Sequence, residues 1–236
     1  MIDLMLDIET LGRGPGCIVP QAAIVPFHLD GPILSDEETN KFTFETKLHI
    51  GEQLALGYVI DEETYKWWMS QKAEIRIEVF SGTITVSTFK ELLEQYLAKV
   101  KVEYGDYCIW ASAPKLDYGC LSSILAPPGG EYPVSYRAER DVRTLKDTVT
   151  RLKPNFKWPR TLYNHNAIVD CKSQIVTARA GFGYLKYLEM INGAKQTTTT
   201  SSDVHADVRP GNTDGTLHPV KGDNGSEDQT ITGGVG

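Results

Sequence analysis

The chain has 236 residues, 41% hydrophobic and 23% charged, with a formal net charge of −7. That balance describes a globular chain with room for one sizeable core. The longest apolar runs fall far short of the roughly 18 residues that suggest a membrane span, Met1-Ile2-Asp3 lacks the basic start of a signal peptide, and an acidic chain offers no long electrostatic footprint for nucleic acid, although a grip on a strand end remains open to it.

In chain order, Ile2–Glu9 reads as a strand, and Cys17–Leu29 as a second one interrupted at Pro20 and Pro26. Alternating Phe42, Phe44 and Thr46 predict a third strand over Lys41–Ile50. Asp61-Glu62-Glu63 opens a helix that runs through Trp67 and Trp68. Ser87 is expected to cap the next helix, in which Phe89, Leu92, Leu93, Tyr96, Leu97 and Val100 recur at helical spacing. Tyr107–Ala111 is a short apolar strand followed by a helix over Pro114–Leu125. Arg140–Leu152 predicts a helix that stops before Pro154, and a last helix is expected from Asn166 to Asn192, ending at Gly193. Strands first, then alternating helix and strand, indicate an α/β fold with a mixed sheet.

From Thr197 the composition changes abruptly to Thr, Ser, Gly, Asp and Asn, without Phe, Trp or Tyr. Arg209 and Lys221 stand there against Asp203, Asp207, Asp214, Asp223, Glu227 and Asp228, so −4 of the total charge lies in this stretch. A segment with so little apolar surface does not offset its ordering entropy. The expected organisation is a folded domain over 1–194 and a disordered acidic tail over 195–236. The cysteines Cys17, Cys108, Cys120 and Cys171 form no C-x-x-C pair and read as reduced core residues of a cytoplasmic protein.

The first strand carries chemistry at its end. Side chains of a strand alternate faces, so Asp7 and Glu9 project to the same side. Two adjacent carboxylates at the end of a buried strand repel each other, and a hard divalent cation, Mg²⁺ or Mn²⁺, relieves that repulsion. Alone, a D-x-E triplet is better explained by a strand end running into a polar, Gly-rich turn. Two further acidic sites follow. Asp117 lies in the opening turn of the helix after Cys108-Ile109-Trp110, and His165-Asn166-Ala167-Ile168-Val169-Asp170 begins the last helix.

This set resembles the DEDDh exonucleases of the ribonuclease H-like superfamily. Asp7-Ile8-Glu9-Thr10-Leu11-Gly12 matches the first motif, and His165 with Asp170 matches the H-x₄-D third motif; the tyrosine subclass would place Tyr where Asn166 stands. Thr64-Tyr65-Lys66-Trp67-Trp68-Met69-Ser70-Gln71 and Tyr136–Thr144 resemble the branch that includes mycobacterial RNase AS and the exonuclease A of tailed phages. The second motif departs from the family's Trp-Ala-Asn-Gly-x-x-Phe-Asp: the chain has Trp110-Ala111-Ser112-Ala113-Pro114-Lys115-Leu116-Asp117.

The resemblance covers about residues 1–192. It implies a ribonuclease H-like fold, two divalent cations, and hydrolysis of phosphodiester bonds from the 3′ end of single-stranded RNA or DNA to nucleoside 5′-monophosphates. It further implies that Asp7 bridges both ions, Glu9 and Asp170 complete the first site, Asp117 serves the second through water, and His165 is the general base. Thr10 and Leu11 would touch the terminal nucleotide, with turn packing as the equal alternative. Arg137, Arg140 and Arg143 would contact phosphate, with structural ion pairing equally open. Trp67 and Trp68 read as packing rather than base stacking. The resemblance permits a homodimer and a bacterial or phage-infected cytoplasm. The rival functions are a proofreading subunit and a catalytically idle binding or scaffold protein on the same fold.

Overall fold

The computed structural model describes residues 1–126 and 132–202. Its elements are β1 (Ile2–Glu9), β2 (Gln21–Phe27), α1 (Asp36–Lys41), β3 (Phe44–Lys47), α2 (Ile50–Ala55), α3 (Glu62–Ser70), α4 (Ala73–Val79), α5 (Val86–Tyr104), β4 (Tyr107–Ala111), α6 (Pro114–Leu125), a 3₁₀ turn (Tyr136–Ala138), β5 (Glu139–Asp141), α7 (Val142–Leu152) and α8 (Ala167–Ser202). The chain divides at Gly193, and the unit Met1–Gly193 holds the sheet and its helices. From residue 203 the expected disordered tail lies outside the described residues. No described helix is long and apolar enough to cross a membrane.

The five strands lie in the order β3-β2-β1-β4-β5. β1 pairs antiparallel with β2 and parallel with β4, and β5 runs parallel to β4. The sheet is therefore mixed and the fold is α/β, ribonuclease H-like in architecture. Strand alternation sorts the side chains of β1 cleanly. Ile2, Leu4, Leu6 and Ile8 pack with Phe89, Leu93 and Leu97 of α5 and with Leu121 and Ile124 of α6. Met5 faces the other layer with Val142 of α7 and Ala167, Cys171 and Ala178 of α8. Asp3, Asp7 and Glu9 share the odd-numbered face with Met5, so the acidic strand end is turned toward α8.

Several boundaries differ from the sequence expectation, each for a local reason. β2 begins after Pro20 and ends at Phe27, and it keeps Pro26 because its pairing with β3 stops at Ile24. A proline beyond the reach of the neighbouring strand removes no ladder bond on that side. β3 is only Phe44–Lys47, since Lys41 closes α1 and Ile50 opens α2. α1 is fixed by a capping box between Ser35 and Glu38, and α2 by His49, whose Nδ1 accepts from the Glu52 N–H at 2.8 Å. The cap of α5 is Thr85 rather than Ser87: Thr85 Oγ1 accepts from the Thr88 N–H. Arg140 belongs to β5, and α7 starts at Val142 under an Asp141 cap. α8 continues past Gly193 to Ser202, because one glycine costs a helix only about 1 kcal/mol.

Candidate active site

β1 delivers Asp7 and Glu9 to the end of the sheet, beside the start of α8. That start is tied to the sheet from below. The buried Gln21 of β2 accepts the Ala167 N–H through Oε1 (3.2 Å) and donates through Nε2 to Glu45 (2.8 Å). One turn on, the Cys171 thiol contacts the Met5 carbonyl at 3.2 Å. The first turn of α8 then carries Asp170, whose Oδ1 accepts the Asn164 N–H at 3.1 Å and so folds the preceding loop back over the helix end.

That loop sets His165. Its backbone is left-handed, with φ of 57°, a conformation uncommon outside glycine and held here by its surroundings. The imidazole meets Trp67 edge-on at 4.6 Å between ring centroids and Trp68 at 6.1 Å. Trp68, almost fully buried, donates its indole N–H to the Thr10 carbonyl at 2.8 Å. α3 therefore holds both the residue after Glu9 and the histidine. Ligand atoms of Glu9, His165 and Asp170 all lie within 4.8 Å of one another.

Asp7 is anchored from α8 as well, because Gln174 Nε2 donates to its Oδ1 at 2.6 Å. Asp117 comes from the opposite side of the sheet end. α6 follows β4 directly, and the Asp117 carboxylate turns back to accept the Ala113 N–H at 3.1 Å. Ala113 adopts φ −136° and ψ 65°, so the backbone there does not require glycine, and the alanine is accommodated.

Electrostatics tie the four acids together. Loss of water raises the Asp7 carboxyl well above its ordinary range, and the charges of Glu9, Asp117 and Asp170 raise it further against the pull of the Gln174 bond. Glu9 is pushed to about 8 by burial, then by Asp170 and Asp117. Burial raises Asp117 to about 7, opposed by the Ala113 N–H and the charge of Arg143. Asp170 is also raised by burial, with the Asn164 N–H and His165 opposing. Asp3, on the same strand face, is different in kind. Its two oxygens accept from Trp110 Nε1 (2.8 Å) and the Leu29 N–H (3.0 Å), so its role is structural.

An oxygen-rich donor set with one imidazole, its carboxyls raised by crowding, suits hard divalent cations, whose charge would offset that crowding.

The other expected residues fall elsewhere. Thr10 is half-buried and its hydroxyl donates to Gly12 O. Leu11 is core, packed with Ile18, Trp68 and Val79, and its backbone groups bond to Ile18 and Asp61. Arg140 donates to the carbonyls of Arg137 and Glu139, both at 2.8 Å, and Arg137 donates to the Tyr136 hydroxyl. Among the described residues neither arginine is paired with any of the four acids. Gln174 and Gln21 are supporting residues that no motif marks. For Gln174 the available signal was its i,i+4 spacing from Asp170 on one helix face.

The profile of one family, described as the 3′-5′ exoribonuclease Rv2179c-like domain, matches residues 2–182. A comparison of the sequence with curated proteins found no match. Among solved structures, the chain is similar to cell-death related nuclease 4 (CRN-4), with TM-score 0.56, 15% identity, and 78% of this chain and 64% of that one covered. It is also similar to E. coli exonuclease I in complex with a 5cy-dT13 oligonucleotide (TM-score 0.54, 14% identity, 79% and 43% covered). A third is the moderately thermophilic exonuclease I from Methylocaldum szegediense (TM-score 0.52, 13% identity, 76% and 40% covered). The chain thus spans less than two thirds of the length of each of these proteins, and at such identities the likeness speaks for the fold. With the profile covering most of its length, the chain belongs to the Rv2179c-like 3′-5′ exoribonuclease domain family.

Proposed function

We propose that this protein is a divalent-metal-dependent 3′–5′ exonuclease that shortens single-stranded RNA from its 3′ end and releases nucleoside 5′-monophosphates. The observation that carries the reading is the meeting of Glu9, His165 and Asp170 within 4.8 Å, beside Asp7 on the same strand face, and the charges of Glu9, Asp117 and Asp170 all act on Asp7. RNA is favoured over DNA by the family description. Within that family the Trp67-Trp68 and Tyr136–Thr144 segments favour the branch of RNase AS and phage exonuclease A.

Asp7, Glu9, Asp117 and Asp170 would hold two cations, Mg²⁺ or Mn²⁺. Bound there, such ions would supply Lewis-acid stabilisation of the phosphate and leaving oxygen and lower the pKa of water. His165 takes the proton of the attacking water, and the Trp67 and Trp68 edges with the left-handed backbone fix its ring for that task. Gln174 and the Asn164 N–H fix the orientation of Asp7 and Asp170. Thr10, at the strand end, is the residue nearest in sequence to the acids with a hydroxyl to offer the terminal nucleotide. Arg137 and Arg140 are assigned to more distant strand contacts. All five central side chains come from one chain, so a homodimer is not needed for chemistry. Four free cysteines suit a reducing cytoplasm.

The test is digestion of matched 5′-labelled ribo- and deoxyribo-oligonucleotides with Mg²⁺, Mn²⁺ or EDTA. Stepwise shortening that needs metal and is faster on RNA is expected. Intact oligonucleotides under every metal condition would favour the idle binding protein instead.

A further inference from the structure

A cleft of about 450 Å³ opens beside the second motif, between the Arg13-Gly14-Pro15 loop and the starts of α6 and α7. Arg13, Lys115 and Arg143 line it, with Asp141 as the acidic residue. The charges are not equivalent. Arg13 is engaged by Asp61 (3.2 Å) and Glu63 (3.0 Å). The two oxygens of Asp141 accept from the Arg143 backbone N–H (2.8 Å) and the Thr144 hydroxyl (2.6 Å). Lys115 and Arg143 are exposed, and among the described residues neither side chain has an acidic partner. An acidic chain therefore presents two unengaged cations in one concavity. The Ala113 wall of that cleft donates its N–H to Asp117, and the charge of Arg143 is felt there.

We infer that this cleft holds the phosphodiester backbone on the 5′ side of the scissile bond, with Lys115 and Arg143 as the contacts. This rests on the exonuclease reading. A 3′-terminal nucleotide carries a free hydroxyl, so the scissile phosphate is the last phosphate of the strand. Any second phosphate lies on the 5′ side, and cations that line the neighbouring cleft without an ion pair to the carboxylates are placed to serve that part of the substrate. A dinucleotide with a 5′-hydroxyl contains one phosphate and leaves the cleft empty; longer strands fill it. Lysine and arginine on phosphate position a strand without reading its sequence, which suits an enzyme that must accept each new end.

The experiment compares the wild type with Lys115→Gln, Arg143→Gln and the double variant on a ribo-dinucleotide and a ribo-decamer. The ratio of kcat/KM on decamer to that on dinucleotide is the readout, so any effect of Arg143 on Asp117 cancels. We expect the double variant to lower that ratio about tenfold or more. Decamer binding, followed by anisotropy in EDTA, should lose about 0.7 from its log K against log salt slope for each cation removed. An unchanged ratio and slope, or an equal loss on both substrates, overturns the cleft. A wild type inert on both substrates with Mg²⁺ and Mn²⁺ would instead overturn the exonuclease reading. The salt slope would then decide by itself whether Lys115 and Arg143 hold phosphate. Unchanged melting temperatures establish that the variants fold.

Discussion

Gln174 donates its side-chain amide to Asp7 across the gap between α8 and β1, at 2.6 Å, while its own carbonyl oxygen is buried without a partner. The amide thus fixes one oxygen of Asp7 and leaves the other without a protein donor among the described residues. Gln174→Leu keeps the packing; it removes an unsatisfied buried oxygen but also leaves Asp7 Oδ1 without its donor, and since the two effects oppose each other the melting temperature should change little. Activity or metal affinity should fall roughly 10–100-fold, the usual cost of losing a group that orients a ligand. Metal titrations of activity alongside thermal melts check both halves. A variant that melts early and binds metal normally would make Gln174 structural.

That amide shows where sequence reading ends. The alternation of β1 was legible: apolar even positions leave Asp7 and Glu9 together on the other face. The spacing of His165 and Asp170 at a helix start was equally open to reading, because caps and helical periods are local. Gln174 is marked in the sequence only by its fourth place after Asp170, a spacing that names no partner until β1 is known to lie opposite. The same holds for Cys17 and Cys120, whose sulfurs meet at 3.5 Å across 103 positions. β5 escaped because Glu139-Arg140-Asp141 is a three-residue polar edge with no alternation to detect. Short helices such as α1 carry too few turns for periodicity, although the Ser35–Glu38 box was there to be read. For Leu11 the family analogy and turn packing stand as equal readings from sequence, and its side chain packs with Ile18, Trp68 and Val79.

Mutual repulsion among the acids makes two substitutions diverge. Asp7→Asn removes a carboxyl whose ionisation is opposed by burial and by Glu9, Asp117 and Asp170, so the metal-free protein should melt higher at neutral pH while exonuclease activity is lost. His165→Ala leaves the four carboxylates in place. It should reduce the rate roughly 10²–10⁴-fold with metal binding largely retained. Calorimetric Mn²⁺ titration separates the two, since only Asp7→Asn should abolish it. Full activity in His165→Ala would remove histidine from the mechanism.

Trp68 couples stability to the site through one hydrogen bond. Its indole N–H holds the Thr10 carbonyl, and its ring faces His165 and Phe80. Trp68→Phe keeps an aromatic core but loses the donor and some volume, and should destabilise the fold by about 1–3 kcal/mol. The displaced strand end and imidazole should also lower kcat more than they raise KM. Chemical denaturation and steady-state kinetics on the decamer measure these effects. Wild-type kinetics at reduced stability would show that Trp68 only packs.

The carboxyl cluster also dictates how the protein answers pH. Glu9 is raised to about 8 and Asp117 to about 7, with Asp7 and Asp170 also raised. In the unfolded chain these groups titrate near pH ~4. Between about pH 4 and pH 8 the metal-free native state therefore holds more protons than the unfolded state, and stability falls as pH rises through that window. Bound divalent cations oppose this trend, because they offset the same charges and compete with the same protons. The melting temperature gained on adding Mn²⁺ should thus be larger at about pH 8 than at about pH 5.5, where protons must first be displaced. Asp117→Asn, with one titrating site fewer, should flatten the metal-free dependence. Thermal melts of both proteins across that range, with Mn²⁺ and with EDTA, decide the matter: a metal gain independent of pH, or a metal-free stability that climbs with pH by the same amount in both proteins, would mean that the four acids do not act as one cation-binding cluster.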